Sequence, residues 1–447
     1  LFATFMIFSF LYSNTALYAV ASDISGVTPN GKVYNIEGEK FSGNTQFRHY
    51  EDFNLSQNDV ANLIYKIGYQ NFVNLVNNQV NINGILNTMK DGNFYNGHAI
   101  FVSPNGMVVG ASGVLNVGSL SILTPGQTKF GEFLDQYNAN NLANYVVGAE
   151  GYKGLIQDSQ GNVIINGQVL ARNDVNLYGK NITVKKETES PENIGIIAGW
   201  QDTNTQFTDV ESAKNIFNTL VSNNIVDTTN FALKDGKIQI VAQNPTEASV
   251  TIKKANLGAS SIDISAKAEY KDKHTLLDAN SADITIVNSN IGANSAKISS
   301  VAKQERKIKP DEITILSNSG VAGAANSTVN IKNTKINTTS KNLPAGGSNS
   351  VVITSNADSV TNQNVNLLSS VILDMILNDD AKISEYFSDG IYNGFQGARS
   401  SSKINISNDS VITDEIAIVI IAHTTPNLIF FLLFVIISNL VFISIGR

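Results

Sequence analysis

The sequence predicts an all-β chain: a right-handed parallel β-helix (a β-solenoid) with an N-terminal cap and short helical or loop excursions. Three observations lead there. From Val80 to Leu123, apolar residues alternate with polar ones in short bursts: Val80/Ile82, Ile100/Val102, Leu115/Val117, Leu120/Ile122. Turns at Asn83-Gly84, Asn96-Gly97 and Pro104-Asn105-Gly106 punctuate these bursts. Period-two alternation marks strands with one buried face, and Asn-Gly marks turns that tolerate positive φ. Between Ser249 and Thr424 the chain repeats itself: SVTIKKANLGASSIDISAKA aligns with DITIVNSNIGANSAKISSVA at an offset of 34 residues. One such unit cannot bury its apolar face alone, and stacking neighbours buries a continuous core. Asn is also enriched, about one residue in eight, and stacked Asn side chains can bond from coil to coil. An antiparallel sandwich of hairpins competes with this reading, but the repeats lack strand–turn–strand symmetry.

Each element follows in chain order. Residues 1–21, an apolar run ending Ala19-Val20-Ala21, read as a signal peptide truncated at its basic start. An N-terminal module spans 22–150. Within it, Ser56 to Val76 carries Val60, Leu63, Ile64 and Ile67 at helical spacing, which predicts a short helix or irregular cap. Phe130 to Val147 reads as a second excursion. Residues 151–424 read as a repeat region with inserts near 207–235 and 366–395. Asn162 to Val184 continues the strand pattern, and Gly195 to Trp200 adds a further rung. Val210 to Leu233 and Leu367 to Phe387 have helical spacing. Repeat copies begin at Val250/Ile252, Ile284/Ile286, Val329/Ile331 and Ile404/Ile406, with second inward positions at Leu257, Ile291, Ile336 and Val411. Ser350 to Thr354 supplies a delayed closing strand. The tail, 425–447, holds an apolar run from Leu428 to Ile445, long enough for a spanning helix. It reads either as an anchor or, by preference, as a fragment-end artefact.

Composition narrows the chemistry. The 447 residues contain no Cys, which removes disulfides, thiol catalysis and Cys-ligated zinc, and the net charge is -7. Lysines spread throughout give no basic patch in the sequence, so nucleic acid is not an expected partner. The four His lie apart, at 49, 98, 274 and 423, with no metal-binding spacing. Gly26 to Lys32 fits the spacing of a phosphate loop, but Val33 stands where Ser or Thr is needed, and a strand follows. Gly106, Gly110 and Gly113 resemble a nucleotide-binding pattern and read better as coil corners. Carboxylates are sparse on the strands and no GxSxG occurs. The sequence therefore predicts no enzyme, no cofactor, no metal and no small-molecule substrate.

The ordered segments FRHYEDFN (47–54), NING (81–84) and FVSPNG (101–106) resemble the secretion domain of filamentous haemagglutinin-type exoproteins, the passengers of two-partner secretion. Within that group, FRHYEDFNLSQNDVANLIY and NGHAIFVSPNGMVVGASGVLNVGSLSIL are most similar to the leukotoxin-type filamentous adhesins. The likeness is tight over roughly 24–125. This chain has Ser103 where the family often has Asn, and the family's second Asn-Pro-Asn-Leu motif is not visible before residue 125. The resemblance implies that 22–150 is a two-partner secretion domain, recognised in the periplasm by an outer-membrane β-barrel transporter. It implies a secreted or surface-bound adhesin that meets a host receptor or glycan. A pore-forming or cytolytic toxin, or a polysaccharide-active β-helix enzyme, are the alternatives. Candidates for transporter recognition or capping are Phe47, Arg48, Tyr50, Phe53, Asn83, Gly84, Pro104, Asn105 and Gly106.

Overall fold

The structure is a computed structural model. It describes residues 22–157, 159–201, 205–222, 235–272, 280–307, 325–338, 350–362, 400–407, 410–413, 418–424, 428–437 and 440–445. The predicted signal peptide, the stretch from Leu367 to Phe387 and His274 lie outside the described residues.

Three long sheets form the walls of a parallel β-helix, with 10, 11 and 13 strands among the described residues. Each coil contributes one strand to sheet A, one to sheet B and one to sheet C. One coil runs Val80–Ile82, Ile85–Lys90, His98–Val102; the next runs Met107–Val109, Val114–Val117, Ser119–Leu123. Pairing between successive coils is parallel, as in His98–Val102 beside Ser119–Leu123, which rules out the antiparallel sandwich. Inward residues of all three sheets form one continuous apolar core from Ile24 to Ala357.

The 34-residue offset is one full coil. Ser249 pairs with Asp283, Leu257 with Ile291 and Ile262 with Ala296. Ser350–Asn362 closes the third copy, with Val351 beside Ala296. In the last copy the register sets Ile412, and not Val411, beside Ile336. A one-residue slip moves a strand's side chains to the opposite face.

The expected helix within Ser56–Val76 is absent. Val60–Ile64 and Asn71–Val76 are strands of sheets B and C. Both faces of these strands are covered, so apolar residues occupy odd and even positions alike, and the mixture imitates helical spacing. The other two described excursions are helical. Helix α1 (Gln127–Asn138) and α2 (Glu150–Gly154) follow the fourth strand of this parallel run in sheet C, and α3 (Val210–Ser222) follows Trp200. The apolar tail forms two antiparallel strands, Leu428–Ile437 and Leu440–Ile445, extending sheet C. No helix among the described residues is long and apolar enough to cross a membrane.

Candidate functional site

The motif-bearing segments build the N-terminal end of the solenoid. Thr45–Tyr50 is the first strand of sheet C in the parallel run, edged by the antiparallel Lys40–Ser42. Its residues alternate between two destinations. Phe47 points outward and is fully buried in a second apolar cluster. Tyr50 lies in the inner core with Phe53, at 1% and 0% exposure. Phe53 meets Tyr50 and Phe101 edge-on at 5.3 Å each, an arrangement aromatic pairs prefer.

Arg48 and Gln46 close the open end of the coil. The Arg48 guanidinium donates to the carbonyls of Gly26 (2.8 Å) and Glu37 (3.1 Å), and lies 3.3 Å from the Glu39 carboxylate. Gln46 donates to the Ile64 carbonyl at 2.7 Å. One coil deeper, buried Asn74 accepts from the Tyr50 hydroxyl at 2.8 Å and donates to the carbonyls of Phe72 and Ile100. Burial pushes the Tyr50 phenol well above its ordinary pKa, with the Arg48 charge pulling the other way. The phenol therefore stays a neutral donor. The cap is a polar lid over an aromatic layer, so water is excluded from the first coils.

The turns set the spacing between coils. Gly106 adopts φ +85°, and a Cβ there would sit 2.1 Å from the Asn162 carbonyl of the next coil. Exposed Asn105 donates to the Asn77 carbonyl at 2.8 Å, and the Ser103 hydroxyl donates to that of Asn78. Pro104 is buried. At Asn83-Gly84 neither residue has positive φ. Gly84 is required there because a Cβ would meet the carbonyls of Asp59 and Ser56 at 2.2 and 2.5 Å. The corner uses glycine for close approach, not for the left-handed conformation expected of Asn-Gly. Gly113 and Gly167 stack at the same corner, each against a carbonyl of the coil before it. Gly26 and Gly31 lie in turns that lead into the strand Val33–Glu37, not into a helix.

Two covers clasp this end from outside. The segment holding α1 and α2 lies on sheet C over Phe47, Val73, Leu75, Ile100, Val102 and Leu123. Phe133 meets Phe47 edge-on at 6.3 Å and stacks on Tyr145 at 3.9 Å. The Tyr137 hydroxyl donates to Glu39 and the Lys40 ammonium donates to the Tyr137 carbonyl, tying the cover to the first coil. Beneath it His98, 2.8 Å from the Ser121 hydroxyl, has its pKa lowered to about 4 by burial.

The second cover, Trp200 with residues 205–222, lies on sheet B over Val60, Ile85, Val114, Leu170 and Ile197. Under it runs an asparagine ladder. Asn62 donates to Asn35, Asn87 to Asn62 and Asn116 to Asn87. Arg172 ends the ladder, donating to Asn116 while its guanidinium sits between the rings of Phe94 (3.9 Å) and Trp200 (4.3 Å).

Of the candidate residues, Phe47, Tyr50, Phe53, Gly84, Pro104 and Gly106 are therefore buried. Arg48 is half-buried, and Asn83 and Asn105 are exposed. The structure brings Arg48, Tyr50 and Phe53 together in the cap and places the turn residues along the corners. Gln46, Asn74 and Arg172 escaped the sequence reading, which expected Asn-to-Asn bonds between coils without naming the residues that form them. The unbroken buried strings NFVNLV and HAIFV were the available signal, since a strand apolar on both faces needs an outer cover. Among the described residues no group of three His, Asp or Glu is placed to hold a metal. No family model, curated protein or solved structure matches the chain.

Proposed function

We propose that this chain is a secreted bacterial exoprotein, a filamentous adhesin of the leukotoxin-like type, exported by a two-partner system. An outer-membrane β-barrel transporter recognises its N-terminal module in the periplasm. The coil-on-coil architecture supports this reading most directly: the described strands between Asp23 and Thr424 stack in chain order, each coil presenting an edge to the next. Such a chain can fold progressively as it emerges N-terminus first, so folding outside the cell can draw the remainder through. The absence of Cys fits passage through an oxidising compartment. Function at the surface then comes from extended contact along the solenoid and its excursions, not from a catalytic pocket. The buried state of Phe47, Tyr50 and Phe53 bears on how recognition occurs. The transporter meets these side chains only before the module folds, whereas Asn83 and Asn105 remain available afterwards.

The test is export from cells carrying the transporter. The intact chain is expected in the medium or on the surface, and a chain lacking residues 80–123 is expected to remain in the periplasm. Undiminished export of the deleted chain would overturn the assignment.

A further inference from the structure

The cover of sheet B is built as an arm and not as a wall of the solenoid. It leaves the coil just after the strand Gly195–Ala198, where the Trp200 N–H is bonded to the Ala171 carbonyl. Residues 205–222 then reach back over Ile197, Leu170, Val114, Ile85 and Val60, one residue from each of five successive strands of sheet B. Coils repeat at about 4.8 Å, so the arm spans roughly 19 Å of the axis. The chain next re-enters the coil at Lys237–Gln243, which pairs with Val175–Gly179. Both ends of the arm are thus rooted at the same end of the surface that it covers. No strand of the arm joins a sheet among the described residues, and side chains hold it instead.

Two outward columns of sheet B receive the arm. Val60, Ile85 and Val114 stand in one, and Asn62, Asn87, Asn116, Leu170 and Ile197 in the other. The Asn87 side-chain amide treats Phe207 as a neighbouring strand would. It donates to the Phe207 carbonyl at 2.9 Å and accepts from the Phe207 N–H at 3.4 Å. The Asn116 amide and the Arg172 guanidinium both donate to the Thr205 carbonyl, at 3.1 and 3.2 Å. The Phe207 ring is buried and lies parallel to Trp200. Helix α3 sets Ala213, Phe217 and Leu220, at helical spacing, against the apolar residues, and Asn193 donates to Asn218 at 3.1 Å. These contacts join the arm to coils remote from it in the chain, so the groove would make them equally with the arm of another copy.

We propose that residues 205–222 are an exchange arm: the groove on sheet B takes the arm of a second copy of this chain, and two copies close as a side-by-side, two-fold pair. The order of the chain favours that occupant. The strands that carry Val60, Ile85 and Val114 are complete at Val117, whereas the arm begins at Thr205. In a chain that folds from its N-terminus the apolar column stands open through that interval, and a neighbouring copy's arm fits it residue for residue. The tether fixes the geometry. Gln201 and Thr205 are four residues apart and at most about 14 Å from each other. The copy that lends its arm therefore lies with its own sheet B beside the groove, and its own groove is within reach of the arm it displaces. The exchange is reciprocal, and it leaves neither groove open. This goes beyond the adhesin reading by making a second copy of the chain a partner.

The chain has no Cys, so introduced thiols report which copy docks with which. N193C places one thiol on the rim of the groove and N218C places one on the arm. The two full-length variants are unfolded, mixed in equal amounts, refolded together, oxidised and run on a non-reducing gel. A covalent dimer several-fold above that of either variant alone is expected. Tenfold dilution before refolding should lower its share by up to about tenfold, by mass action. The double variant N193C/N218C links within one chain where the arm docks on its own groove and between chains where it is exchanged, so linked dimers are expected there too. Sedimentation of the unaltered chain refolded at high concentration should show the pair without any substitution. A mixture with no excess dimer, a double variant that links only within single chains or not at all, or an unaltered chain that is monomeric at every concentration would overturn the proposal. Purified protein reads the pairing and cells carrying the transporter read export, so either idea can fail without the other.

Discussion

Phe47 separates a recognition residue from a structural one. Its side chain is 0% exposed and packs under helix α1, edge-on to Phe133, which is also 0% exposed and stacked on Tyr145. Truncating a buried Phe to Ala costs about 3–5 kcal/mol, and the aromatic pair itself carries about 0.5–1.5 kcal/mol of that. Phe47→Ala and Phe133→Ala should each lower the stability of the N-terminal module by that amount. Their double variant should be less destabilised than the sum, by about the pair term. Phe47→Leu should cost no more than about 1.5 kcal/mol. Denaturant unfolding followed by far-ultraviolet circular dichroism of the isolated 22–157 segment and of the whole chain reads the loss, since the chain's one Trp, Trp200, packs in the sheet B cover and not beside Phe47. Secretion of the same variants supplies the second axis. Phe133 lies outside the family motifs, so a packing role for Phe47 predicts that F47A and F133A lose export to the same degree, while F47L is exported. Export lost in F47L at near-normal stability, or normal export of an equally destabilised F133A, would refute the reasoning and make Phe47 a direct contact of the transporter.

Four other positions give sharp expectations. Gly106→Ala combines left-handed backbone strain of about 1–2 kcal/mol with overlap against the Asn162 carbonyl, so a loss of roughly 3 kcal/mol or more is expected by denaturant midpoint. Gly31→Ala, at φ +63° with nothing within 4 Å of a new Cβ, should lose only the strain. His98 is held below its ordinary pKa by burial, at about 4. Its contribution is therefore fully present above pH 6.5 and is lost as pH falls from 6.5 toward 4. The difference is on the order of 2–3 kcal/mol between unfolding at pH 7 and pH 4, and it should shrink in His98→Gln. Asn116→Leu removes the donor to Asn87 and the acceptor of Arg172 from beneath the sheet B cover. About 3 kcal/mol should be lost and α3 should exchange its amides faster, as read by hydrogen exchange.

The solenoid was legible because its coils obey one period. Ile284/Ile286, Ile291 and the following strand recur at the offset that becomes the coil-to-coil register. The same legibility failed at Ser56–Val76, where Val60 and Leu63 face opposite sides of one strand and both sides are buried. Sequence spacing cannot separate that case from a helix face. Gly84 and Gly106 were both recognisable as corners, yet both serve close approach and only Gly106 also has positive φ. The close approach depends on which carbonyl lies opposite, a contact between residues 25 or more positions apart. Asn enrichment pointed to bonds between coils, but that Asn35, Asn62, Asn87 and Asn116 form the ladder and Arg172 ends it are stacking relations that no local pattern marks.

The two covers also fix an order of assembly. The strands they protect begin with Thr45–Tyr50 and Val60–Ile64, but the covering segments lie at 127–155 and at Trp200 and 205–222. Sheets B and C of the first coils therefore keep apolar outer faces open until those later segments are present. Val73, Leu75, Ile100 and Val102 have no alternative cover in the coil itself, since their neighbours in register are equally apolar. Beyond residue 235 the requirement disappears. Strands such as Glu247–Lys253 and Asn280–Val287 alternate cleanly between buried and half-exposed, so each later coil needs only the edge before it. For a chain that emerges N-terminus first, the module remains unfinished and its aromatic residues reachable through roughly its first half. Only then do the covers close and turn the module into the rigid template on which the remaining coils add one by one. Late closure of the first coils and stepwise growth of the later solenoid are thus compatible in one chain, because the closing segments are encoded downstream of what they close.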